Sequence, residues 1–212
     1  MKQLYTFIIS FMVIGCTLVQ PSPPTHLYTL TALAQLNEGL QTISTPGVAI
    51  GVGPVELPEY VDRPQIMTGD GGNELRRSEF DQWAEPLGTN FTRILAINLS
   101  TLLKTERVAV FPWKGPVPLD YQIVVEVTQF LGNLNGSVSL VARWRILGKN
   151  GREALLSRLS SFTELTISND YHTLVATMSH MVALLSDDIA TAIILREGMG
   201  AHTQTHKKMS EP

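Results

Sequence analysis

Between Tyr121 and Thr166 the chain alternates apolar and polar residues through three runs separated by Asn135-Gly136 and Asn150-Gly151. Strand side chains alternate between faces with period two, and Asn-Gly between two such runs is a strong hairpin signal. Ile123, Val125 and Val127 therefore share one face, as do Val138, Leu140, Ala142, Trp144 and Ile146 on the return strand. Arg143 and Arg145 point the opposite way, so the pattern predicts a three-stranded antiparallel meander with one wet face.

Two segments carry helical periodicity instead. Leu87, Phe91, Ile94, Leu95, Leu99, Leu102 and Leu103 fall on one stripe at three- and four-residue spacing, and Pro86 suits the first turn. Leu174, Met178, Met181, Val182, Leu185, Ile189 and Ile193 repeat the pattern behind the cap candidates Ser168, Asn169 and Asp170, with an end expected near Gly198. The methionines read as core filler. Asn98, on the edge of the first stripe, reads as a polar residue with a partner near the core.

Upstream, Leu27 to Leu33 and Val48 to Leu57 read as strands, Gln65 to Thr68 and Glu74 to Asp81 as a hairpin, and Val108 to Phe111 as a short strand. With 212 residues, 44% of them apolar, the chain has material for one packed core. The expected fold class is α+β: a single domain over residues 27–197, with a mixed, largely antiparallel sheet and two main helices packed on it. Residues 198–212 are polar and aperiodic and read as a disordered tail.

The N-terminus is of another kind. Lys2 precedes an apolar run from Leu4 to Ile14 that ends at Gly15-Cys16. Eleven helical residues span about 16 Å, short of a hydrocarbon core of roughly 30 Å, so residues 1–15 read as a cleaved export signal and not as a membrane span. Val13-Ile14-Gly15-Cys16 resembles the bacterial lipobox, and the chain has 1 cysteine. Acylation of Cys16 on sulfur and on its new amino group would give a permanent anchor, since each buried CH₂ contributes about 0.8 kcal/mol. Residues 16–26 then form a lipidated tether in which Gln20-Pro-Ser-Pro-Pro24 runs extended, with a reach of about 35 Å.

Several functions are excluded by what is present. One cysteine leaves no disulfide framework and no thiolate zinc site. The 16 Lys and Arg against 19 Asp and Glu are not gathered into blocks of one sign, which argues against nucleic acid. Gly51 and Gly53 lack the third glycine of a phosphate loop, and Pro54 removes a donor where one is needed. Thr68-Gly-Asp-Gly-Gly-Asn73 lacks the alternating ligands of a calcium loop. His172 and His180 stand eight apart, and His202 and His206 would need a helical segment, so neither pair is read as a metal site. No nucleophile elbow or zincin motif occurs. Carboxylates such as Glu126 and Glu164 could meet across the sheet as an acid and base pair, but exposed strand acids are far commoner than paired catalytic ones. We assign no catalytic residue, no metal and no cofactor beyond the covalent lipid.

Four segments carry a resemblance: Pro54-Val-Glu-Leu-Pro-Glu-Tyr-Val-Asp-Arg-Pro-Gln-Ile66, Trp83-Ala-Glu-Pro-Leu87, Phe111-Pro-Trp113 and Leu185-Ser-Asp-Asp-Ile-Ala190. In order and spacing the chain resembles the PqiC (YmbA) family of ABC-type transport auxiliary lipoproteins. The resemblance implies a non-catalytic outer-membrane lipoprotein facing the periplasm, which self-associates and works with a membrane-anchored MCE-domain protein in lipid transport and envelope integrity. Thr17, where an aspartate would favour the inner membrane, fits that placement by the same resemblance. A lipid-binding carrier and a purely structural envelope lipoprotein are the alternative readings.

Two proline-framed segments are the candidate docking residues. Tyr60, Asp62, Arg63 and Gln65 offer an aromatic, a carboxylate, a guanidinium and an amide around Pro64, a mixture found at interfaces. The other reading is that Asp62 and Arg63 pair within the loop and fix its shape. Trp113, between Pro112 and Lys114, is either core or contact, whereas Trp83 is expected in the core.

Overall fold

A computed structural model describes residues 22–35, 47–70, 72–149, 151–166 and 168–209. The export signal and Cys16 lie outside the described residues. In chain order the elements are β1 (His26–Tyr28), a 3₁₀ turn (Leu33–Gln35), β2 (Ile50–Glu56), β3 (Gln65–Gly69), β4 (Leu75–Trp83), α1 (Leu87–Leu103), β5 (Val108–Val110), β6 (Tyr121–Gly132), β7 (Ser137–Leu147), β8 (Ala154–Leu165) and α2 (Tyr171–Met209). The result is an α+β domain with two helices on a mixed sheet of 8 strands.

The predicted meander forms the longest ladders, β6 to β7 and β7 to β8, both antiparallel. Strand β6 is the hub. Its free edge takes β2 in parallel over the first half, from Tyr121 to Glu126, and β3 in parallel at Gly132. Beyond β2 lies β5, and beyond β3 lie β4 and β1, so the sheet divides into two arms on one edge of β6. A register shift between Val127 and Gln129 falls where β6 passes from one arm to the other, as expected of a bulge that adds twist.

Every residue of both predicted helical stripes is buried, as are the five inward residues of β7. Phe91 of α1 meets Phe130 of β6 edge to face at 5.4 Å, which fixes the helix over the hub strand. Asp170 caps α2, accepting from the Thr173 N–H at 2.7 Å and the Thr173 hydroxyl at 2.9 Å. Ser168 also donates to it, and these bonds hold its carboxyl down at about 2.

Two expectations are corrected. The strand expected from Leu27 to Leu33 stops at Tyr28, because the amides beyond it bond to side chains and not to a neighbouring strand. Helix α2 does not end near Gly198 but runs to Met209, so the backbone of the expected disordered tail is helical to that point. Ala201, Gln204, Lys207 and Lys208 are good helix formers, and the first proline is Pro212.

Candidate functional site

The loop ahead of β3 is a closed piece of framework. Val61 and Asp62 N–H groups bond to the Pro58 carbonyl, Arg63 N–H to Val61, and the Pro64 carbonyl accepts from Trp83 N–H at 2.7 Å. Pro86 gives α1 no side-chain cap. Asp62 supplies one from a distance: its Oδ1 accepts from the Gly88 N–H at 3.0 Å, where an unpaired donor and the positive end of the helix dipole favour a carboxylate. Arg63 does not pair with Asp62; its Nε donates to the Glu59 carbonyl at 3.2 Å. Tyr60 packs against the core, and burial pushes its phenol up. Gln65 is half-buried at the start of β3. The loop is braced by these bonds and not by an Asp62–Arg63 pair.

Trp113 lies on the opposite side of the sheet from the helices. A Cβ on Gly51 would come within 2.7 Å of Trp113 Cη2 and 2.5 Å of Leu119 Cδ1, and one on Gly53 within 2.7 Å of Phe111 Cβ. The two glycines of β2 are therefore seats for a flap, residues 111–119, that folds back over the outer face. Phe111 and Trp113 stack edge to face at 5.3 Å. Trp113 is half-buried, Trp83 is buried, and Val110, Phe111 and Val117 remain exposed. The partnering of Gly51 and Gly53 with the flap was not legible beforehand; the only signal was two small residues in a β-branched strand.

These two candidate segments are not brought together. Gly51 is level with Gln122 of β6, whereas the Tyr60 phenol lies beside the Phe130 backbone. Eight strand residues separate the levels by about 26 Å at about 3.3 Å per residue.

A third feature was missed in part. Residues after β1 thread between the helices, and three of their N–H groups are taken by side chains. Leu30 donates to Asn90 Oδ1 at 2.7 Å, Thr31 to Ser179 Oγ at 3.1 Å and Leu33 to Asn98 Oδ1 at 2.8 Å. Asn98 also donates to Ser186 Oγ, and Asn90 to Thr29 and Glu85. Asn98 is thus the partnered polar residue expected, and what it holds is the segment that continues the tether. At the entry, Tyr28 donates to Asp81 at 3.0 Å, and burial with that bond pushes its phenol up to about 12.

The carboxylates weighed as an acid and base pair do not meet. Glu126 is exposed and aligned with Arg143 on the wet face, while Glu164 contacts His180 Nδ1 of α2 at 2.5 Å. Asp188 of α2 accepts from Ser160 at 2.5 Å and from Arg158 at 3.3 Å, and Ser160 accepts from the buried Trp144 indole at 2.8 Å. This chain of bonds joins α2 to β7 and β8.

The structure is thus a helix-covered sheet with a clamped N-terminal segment and an apolar flap on its outer face. A family model, ABC-type transport auxiliary lipoprotein component, matches residues 28–190, and the chain belongs to that family. It is accordingly a membrane-anchored lipoprotein and an auxiliary component of ABC-type transport. Among the solved structures similar to this chain, two share the fold. A crystal structure of an uncharacterized protein has 21% identity and a TM-score of 0.63 over 81% of this chain and 99% of its own. A Xanthomonas campestris protein has 14% identity and a TM-score of 0.64 over 84% and 99%. A PelC dodecamer from Paraburkholderia phytofirmans has 12% identity and a TM-score of 0.40 over 74% and 90%. A search of the curated proteins finds no match.

Proposed function

We propose that the chain is an outer-membrane lipoprotein, anchored through Cys16 and facing the periplasm, that serves as a non-catalytic accessory of an MCE-type system moving lipid between membranes. The observation that carries this reading is that each segment of the PqiC (YmbA) resemblance has a mechanical part in one framework. Asp62 caps α1, and Glu85 accepts from Asn90 and Arg93 at its first turn. Phe111 and Trp113 sit on the β2 glycines, and Ser186 and Asp188 fasten α2. A rigid domain on a tether of about 35 Å is suited to holding a partner at a set distance from a membrane.

The test is affinity isolation of the full lipidated chain from envelopes in mild detergent. An MCE-domain membrane protein should co-purify, and Cys16→Ser should move the chain to the soluble fraction. Absence of any MCE-domain protein, with envelope lipid composition unchanged when the chain is removed, would sink the proposal. Native mass spectrometry of the same preparation reads self-association. One phospholipid retained per chain would make the protein a carrier instead.

A further inference from the structure

We infer that the C-terminal length of α2 carries a copper site, made by His202 and His206 one helical turn apart with Met199 and Met209 on the same face. The site lies beyond the family match, residues 28–190, and is independent of the accessory reading.

Two histidines four apart can hold one ion between them when the segment that carries them is helical, and α2 runs from Tyr171 to Met209. At 3.6 residues per turn each residue advances about 100°, so His202 and His206 stand within roughly 40° of each other and about 6 Å apart along the axis. Met199 and Met209 lie three residues outside the pair, one on each side. All four donors then fall within an arc of roughly 80°.

Donor type selects the metal. Imidazole suits copper, zinc and nickel alike, whereas thioether sulfur is soft and favours cuprous copper. From Met199 to Met209 the chain has no Asp, Glu or Cys, so the segment lacks the carboxylate and thiolate ligands that zinc or a harder cation would draw on. Its charged residues, Lys207 and Lys208, fall at least about 120° around the axis from the centre of the arc, where they least oppose a cation.

The preceding turns set this face apart from the packed one. Leu195, seven residues before His202 and so on the same face, is 57% exposed. Ile189 and Ile193 are buried, and Glu197 accepts from Tyr121; these three follow each other at four-residue steps on the roughly opposite side. The remaining histidines offer no comparable pair. His26 is bonded to Asp81 and His180 to Glu164, and His172 stands roughly 45 Å before His202 along α2.

The experiment titrates cuprous ion under anaerobic reducing conditions into the full lipidated chain in detergent, carrying no histidine tag, against a chromogenic cuprous chelator; zinc is the comparison probe. One equivalent of copper per chain should be held. His202→Ala with His206→Ala should weaken binding about a hundredfold with an unchanged denaturation midpoint, and Met199→Leu with Met209→Leu about tenfold. His206→Ala with Lys207→His keeps two imidazoles but moves one off the face, and it should not restore binding. No bound equivalent, binding indifferent to the histidine pair, restoration by Lys207→His, or zinc held as tightly as cuprous copper overturns the inference.

Discussion

The loop at 58–65 and the flap at 111–119 look alike in sequence, each an aromatic beside prolines with a cation close by, and they do opposite things. In the loop the polar groups are bonded to the framework while staying at the surface: Asp62 to the α1 amide, Arg63 to a carbonyl of its own turn, the Pro64 carbonyl to Trp83. In the flap one side of each aromatic rests on a glycine, and the remaining apolar surface faces water. Composition that suits an interface equally suits a buttress. What separates the two is whether unpaired helix amides or flat glycine backbone lie opposite.

The sharpest way to weigh one end of the molecule against the other is to cut the clamp. Asn98→Ala strands the buried Leu33 N–H and should cost about 3 kcal/mol in denaturant unfolding. A loss below about 1 kcal/mol would mean that the segment behind the tether is not held as described. Trp113→Ala removes the Phe111 stack and the cover on Gly51. It should cost about 2 kcal/mol, while Gly51→Ala should shift Trp113 fluorescence to the red by lifting the flap.

Smaller effects test the loop. Asp62→Ala should cost about 1 kcal/mol, the usual worth of a helix cap, with partner recovery unchanged. Recovery abolished by Asp62→Ala or Arg63→Ala, with stability intact, would break the contrast and return the loop to the interface.

The smallest effect is in pH. The Asp170 carboxyl is held at about 2, so its stabilisation is complete above the ordinary carboxylate range and is lost as pH falls toward 2. The wild-type midpoint should converge on that of Asp170→Asn over that interval. Tyr28 and Tyr121 are both pushed up to about 12, so their contribution is present below pH 10 and lost between about 10 and 12.

Local pattern determined much of this protein. Alternation and two Asn-Gly turns specify the meander, and three- and four-residue spacing specifies both buried helix faces, because these periods are properties of the backbone itself. The export signal and lipobox are likewise read within one short stretch. The division of the sheet at β6, the parallel arms, the remote cap from Asp62, the amide clamp by Asn90, Asn98 and Ser179, and the seating of Trp113 on Gly51 were decided only in three dimensions. Each joins residues tens of positions apart, and no residue declares from its neighbours which distant donor, acceptor or glycine it will meet when the core closes.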